Sequence, residues 1–184
     1  ARSILLVGDQ QQLAQPSQAD HPGDSGRSCL EYWMEGASVV PDDRGVFLST
    51  SWRMEPSLTA MVSELFYEGR LQANPGNCIN RIEWAKPFQS QEGLLLPGQG
   101  LVLETVEHSG NSVHAPEEID RIEQLVDALL GSHYAIAKGN TTEEGVLDEK
   151  KILVTAPYNV QVNRLQQRLN GKARVGTVDK FQGQ

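Results

Sequence analysis

Ile152-Leu153-Val154, then Val162-x-x-Leu165-x-x-x-Leu169, then Arg174-Val175-Gly176-Thr177-Val178 follow one another with short polar turns between them. The first is a short continuous apolar run, which predicts a strand buried on both faces. The second spaces its apolar residues by three and four, which predicts a helix with one core-facing stripe. Asn170-Gly171 supplies the stop for that helix. The third run predicts another buried strand. Strand, helix and strand in this order make a parallel β-α-β unit.

The same alternation runs through the rest of the chain. Ile4 to Val7 reads as a strand feeding Gly8-Asp9, Val46-Phe47-Leu48 as a second, and Leu101 to Val106 as a third. Ser28 caps a short helix over Cys29–Met34 that Gly36 closes. Pro56 starts a helix with Leu58, Met61, Val62, Leu65 and Phe66 on one face. Pro116-Glu117-Glu118 opens another, its acids against the positive end of the helix dipole, with Ile119, Ile122, Val126, Leu129 and Leu130 as the buried face. Residues 14–28 and 72–100 read as irregular connections, and 138–149 as an acidic loop. The expected fold is α/β, a parallel sheet with flanking helices. Ligands of such sheets bind outside the carboxyl ends of the strands. Here those ends are Gly8-Asp9, Ser49 to Arg53, Thr155 to Tyr158, and Thr177 to Gln182.

Composition sets wide bounds. The chain has 184 residues, 39% hydrophobic and 22% charged, enough for one core or slightly more. No apolar run approaches a membrane span, and the N-terminal run is too short for a signal peptide, so no membrane partner is expected. Cys29 and Cys78 lack metal-ligand spacing. They read as reduced, structural thiols, and the expected location is cytoplasmic. The net charge of −8 runs against nucleic-acid binding, but its distribution is uneven. From Lys151 to Gln184 six bases face Asp179 alone, a net +5; from Glu104 to Glu149 eleven acids face Arg121 and Lys138, a net −9. A basic end suits a polyanion contact with the acid placed elsewhere, and equally suits a solvated acidic face beside a few arginines.

The strand ends carry the chemistry. Val175 to Gln184 offers a hydroxyl, a carboxylate, an ammonium, amides and exposed backbone N–H groups, a set able to grip phosphates. Arg53 sits between a strand and a helix start, where free N–H groups and a guanidinium converge on an anion. A surface ion pair is the plain alternative. Thr155-Ala156-Pro157-Tyr158 joins a hydroxyl, a rigid turn and a ring that could stack on a base or line the core.

In this order the segments resemble the superfamily 1 helicases, in the branch that includes the nonsense-mediated-decay helicase and the replication nuclease-helicase. The matching motifs are Gly8-Asp9-x-x-Gln12-Leu13, Trp52-Arg53-Met54-x-Pro56 with Phe66-Tyr67-x-Gly69-x-Leu71, Ala156-Pro157-Tyr158-x-x-Gln161, and Val175 to Gln184. Within that branch the chain looks most like bacterial helicases fused to a RecB-like nuclease. The resemblance implies a RecA-like fold. Residues 1–46 would be the tail of the first RecA-like domain and 47–184 an incomplete second one, with the rest of the first domain as a partner in cis. It implies catalytic roles for Gln12 and Arg53, which sense the γ-phosphate of ATP from either side of a cleft. It places Gly8, Asp9, Trp52, Asp179, Gln182 and Gly183 on the ATP side, and Thr155, Pro157, Tyr158, Gln161 and Thr177 along single-stranded nucleic acid, with DNA favoured over RNA.

The departures from the family are specific. Trp52 stands where the family usually has Tyr, Glu55 where it has His, and the Glu that follows the final Gln is not in the chain. No Gly-x-x-x-x-Gly-Lys-Ser/Thr occurs; Gly171-Lys172 is followed by Ala173. The resemblance implies ATP with Mg²⁺ in an intact parent protein, no metal ligands here, no tightly bound cofactor, and no ATP hydrolysis by this chain alone. The alternative is a non-catalytic nucleic-acid-binding or scaffold module that kept the fold and lost turnover.

Overall fold

A computed structural model describes residues 2–12, 19 and 22–182. The chain falls into two compact units, Ala1–Asn74 and Pro75–Gln184.

The first unit is built on one β-α-β crossover. Strand β1 (Thr50–Ser51) leads into helix α2 (Pro56–Phe66), and the chain returns to β2 (Gln72–Ala73), which pairs in parallel with β1. Helix α1 (Cys29–Met34) precedes them. Its capping box is complete: Ser28 Oγ accepts from the Glu31 N–H, and the Glu31 carboxylate accepts from the Ser28 N–H.

The second unit repeats the device with a fuller core. Strand β6 (Leu153–Thr155), helix α4 (Asn159–Leu169) and β7 (Arg174–Gly176) form a parallel unit in register Leu153↔Arg174 to Thr155↔Gly176. Helix α3 (Pro116–Leu129) packs Ile119 and Val126 against Val162, Leu165 and Leu169 of α4, with Ile152 and Val175 closing the cluster. Leu165 and Leu169 are fully buried, as the three-and-four spacing requires. A short helix α5 (Val178–Phe181) follows β7. Parallel strands joined through helices are the α/β, RecA-like architecture expected from the sequence.

Several local expectations are corrected. Ile4–Val7 forms no strand; Ile4, Leu5 and Val7 are exposed, because no strand among the described residues pairs with them. Leu101–Val106 is likewise unpaired, and the strand expected at Val46–Leu48 lies instead at Thr50–Ser51. An apolar run becomes a strand only where a ladder partner satisfies its backbone. The acidic segment 138–149 is no loop. It supplies all of β5 (Thr141–Val146), which pairs antiparallel with β4 (His133–Lys138), itself paired with β3 (Arg81–Glu83) out of the supposed irregular connection. Helix α2 buries Thr59 and Ser63, while Met61, Leu65 and Phe66 of its apolar face are exposed. Cys29 and Cys78 are free thiols and both are exposed, one in each unit, so neither is a core residue.

Candidate functional site

In the first unit the site is built on two turns. Asp9 organises the earlier one. Its Oδ1 accepts from the Gln11 N–H at 3.0 Å, and its Oδ2 from the Gln12 side-chain amide at 3.2 Å and from the Tyr67 hydroxyl at 2.6 Å. The Gln10 amide donates to the Ser38 carbonyl at 2.6 Å. Gly8 and Gln12 are exposed. Burial first, and then the Asp9 hydrogen bond, push the Tyr67 phenol up to about 12. Leu13 lies outside the described residues.

The second turn, between β1 and α2, carries Trp52 and Arg53, both exposed. Everything around them is tied down. Ser51 Oγ accepts from the Met54 N–H at 3.2 Å. Glu55 is buried at 6% exposure and caps α2; its carboxylate accepts from the N–H groups of Ser57 and Leu58 and from the Ser57 hydroxyl. Pro56 occupies the first helical position, where its missing donor costs nothing. Thr59 donates its hydroxyl to the carbonyls of Glu55 at 2.8 Å and Met54 at 3.2 Å. The Ser57 hydrogen bond above all, with the Leu58 and Ser57 N–H groups, holds the Glu55 carboxyl below the usual range against an opposing effect of burial. So Glu55, a departure from the family pattern, is here the helix cap. The acid directly before Pro at a helix start was its signal in the sequence.

In the second unit the carboxyl ends of β6 and β7 lie side by side, since Thr155 pairs with Gly176 and the Ala156 N–H donates to the Gly176 carbonyl at 3.2 Å. This edge brings together Thr155, Pro157, Tyr158, Thr177 and Asp179. All are exposed except Thr177, which is half-buried. Tyr158 is the residue before α4 and is 52% exposed. Thr177 is the residue before α5. Gln182 is exposed and its N–H donates to the Val178 carbonyl; Gly183 lies outside the described residues. A Cβ on buried Gly176 would come within 2.6 Å of the Lys180 side chain and 3.2 Å of the Phe181 ring, so any larger residue there would make the Lys180 side chain shift.

Gln161 does not join that edge. It is buried, its Oε1 accepts from the Ala115 N–H at 3.1 Å, and its Nε2 donates to Glu118 at 3.2 Å. The side chain is spent on the N-terminus of α3, where one of the unpaired helix donors needs an acceptor. The basic end is also partly consumed. Arg168 is paired with Asp120 and Glu123, and Lys172 with Glu123 and Asp127, so the acid of α3 lies directly beside these bases rather than elsewhere.

Residues 26–184 match the model of the AAA domain family, and the chain belongs to that family; its resemblance is to the superfamily 1 helicases of the branch that includes the nonsense-mediated-decay helicase. Among curated relatives, DNA-binding protein SMUBP-2 of Rattus norvegicus is 29% identical over 198 residues, covering 100% of this chain and 18% of the relative. The same protein of Mus musculus is 27% identical over 197 residues, again with 100% and 18% coverage. Regulator of nonsense transcripts 1 homolog of Arabidopsis thaliana is 27% identical over 190 residues, with 99% and 14% coverage. The chain thus spans less than a fifth of the length of these relatives. No solved structure matches it significantly.

The family implies a nucleotide with Mg²⁺ in the intact protein. The exposed Arg53 and Gln12 suit phosphate oxygens. Mg²⁺ is held by one or two carboxylates together with the phosphates themselves, and among the described residues no three His, Cys, Asp or Glu side chains gather at one point. Among the described residues, too, no helix is long and apolar enough to cross a membrane.

Proposed function

We propose that this chain is the phosphate-sensing and strand-gripping section of an ATP-dependent helicase that couples hydrolysis to movement along single-stranded nucleic acid. The observation that carries this reading is the β1–α2 turn. An exposed Trp52-Arg53 pair stands on a backbone fixed by Ser51, Glu55 and Thr59. A guanidinium carried on a fixed stretch of backbone can meet charge developing on a transferred phosphoryl group. Gln12, from the Asp9 turn, would contact the same phosphate. Trp52 would pack near the nucleotide base or the cleft wall, and Asp179, Gln182 and Gly183 would couple nucleotide state to grip. Thr155, Pro157, Tyr158 and Thr177 would follow the nucleic-acid backbone along the β6–β7 edge. Gln161 would act one step behind them, by holding α3 to α4.

DNA is favoured over RNA because the SMUBP-2 relatives are named DNA-binding proteins. The bound nucleotide supplies the reactive phosphoryl group, and the phosphate loop and metal carboxylates that hold it would come from outside this chain. The chain alone would therefore hydrolyse no ATP. A location in the cytoplasm and a fused nuclease complete the reading.

The test is ATP hydrolysis by the full-length gene product that carries this chain, with and without single-stranded DNA or RNA. Strand-stimulated turnover is expected, and Arg53→Ala should lower it by ~10³-fold, the scale of arginine fingers, with strand affinity nearly unchanged. Near-normal turnover in that variant would remove Arg53 from the chemistry. Strand binding with no turnover in the wild type would favour a module that kept the fold and lost catalysis.

A further inference from the structure

Helix α3 starts without a cap of its own. Its N-cap position is held by Ala115, which is buried and has no acceptor in its side chain. Glu118 stands three residues on, where a capping box would use its carboxylate to accept from the N-cap N–H. That proton goes to another helix instead. The Ala115 N–H donates to Gln161 Oε1 at 3.1 Å, and Gln161 Nε2 donates in turn to Glu118 Oε2 at 3.2 Å. A residue of α4 is thus inserted into the cap of α3, and two helices share one box. Glu118 lies in the first turn of α3, and Gln161 in the first turn of α4, three residues past Tyr158. The residues that follow them, Ile119 and Val162, join the same apolar cluster. Tyr158 itself makes no side-chain hydrogen bond to the helix it precedes. The start of α4 therefore stands where the start of α3 holds it.

We propose that Glu118 is a positioning residue for single-strand binding: acting through Gln161, it fixes the first turn of α4 and with it the direction in which Tyr158 presents its ring. This rests on the strand-gripping reading of Tyr158. Glu118, Gln161 and Tyr158 all lie in the second unit, and the tie acts inside it. The other Glu118 oxygen faces His108 Nε2 at 3.7 Å. Charge and position make opposite demands on this carboxylate. An acid near a polyanion repels it, so on charge alone the loss of Glu118 should tighten strand binding. If Glu118 holds Tyr158 in place, its loss should loosen binding.

Glu118→Ala in the full-length protein should weaken binding to a single-stranded oligonucleotide about fivefold at fixed salt, the lower end of what a lost base stack costs. Glu118→Gln removes the charge but keeps an acceptor for the Gln161 amide, and should bind as the wild type does. In a Tyr158→Ala background Glu118→Ala should cost nothing more, because both act on one contact. Circular dichroism checks that each variant is folded. Should Glu118→Ala unfold, Gln161→Met breaks the tie from the other side at constant charge and should show the same loss. Unchanged or tighter binding once the tie is broken, a loss as large in Glu118→Gln, or losses that simply add to that of Tyr158→Ala would each overturn the positioning role. If Tyr158→Ala itself binds as the wild type does, the strand-gripping reading of Tyr158 fails and takes the positioning role with it. Normal binding by Glu118→Ala beside weakened binding by Tyr158→Ala overturns the role of Glu118 alone.

Discussion

Tyr158 leaves its ring in solvent at the turn between β6 and α4, while the next side chains inward, Gln161 and Val162, are buried. A ring in that position can stack on a base. Tyr158→Ala should weaken single-strand binding by ~1–3 kcal/mol, read by titration at fixed salt; unaltered affinity would take Tyr158 out of the contact. Single residues also show where sequence reasoning stopped short. Gln161 and Tyr158 sit three apart in one motif, and only the packing of α3 on α4 turns one inward and leaves the other outside. Thr59 and Ser63 lie outside the apolar face that the spacing of helix α2 marks. They are its buried positions, because their hydroxyls bind the backbone of the turns at either end.

At the scale of elements, helices were read well and strands poorly. Caps and periodicity are local: Ser28 with Glu31, Pro116 with Glu117 and Glu118, and the spacing of Val162, Leu165 and Leu169 each name a helix without help from distant residues. A strand depends on its partner, so Ile4–Val7 and Leu101–Val106 misled despite their composition. The β4–β5 hairpin did carry a local sign, since Gly139-Asn140 is a two-residue turn pair between the strands, and Gly139 has φ +63°. Helix α2 yields a prediction of its own. Glu55→Gln removes the charged acceptor at its N-terminus and should cost about 1 kcal/mol, the typical value of a lost cap. The Glu55 carboxyl is depressed in the folded state, so its contribution is complete above the ordinary value of 4.5 and fades as pH falls through the lower folded value. Thermal melting of wild type and variant at several pH values checks this. A difference that persists undiminished at low pH would show that the charge is not what stabilises the turn.

Across the whole molecule, charge counted along the sequence overstated the basic surface. Arg168 and Lys172 contribute to the +5 of the C-terminal stretch, yet both are matched by carboxylates of α3. Arg168→Ala should therefore leave strand affinity and its salt dependence unchanged. A shallower dependence of affinity on salt, by ~0.7 in the logarithmic slope, would mean that Arg168 releases a counterion from a phosphate after all. The division into two units has a practical side. Cys29 and Cys78 are free, exposed and placed one in each unit. A donor dye on one thiol and an acceptor dye on the other would form a molecular ruler with one end in each unit, able to follow their spacing with no cysteine added to this chain.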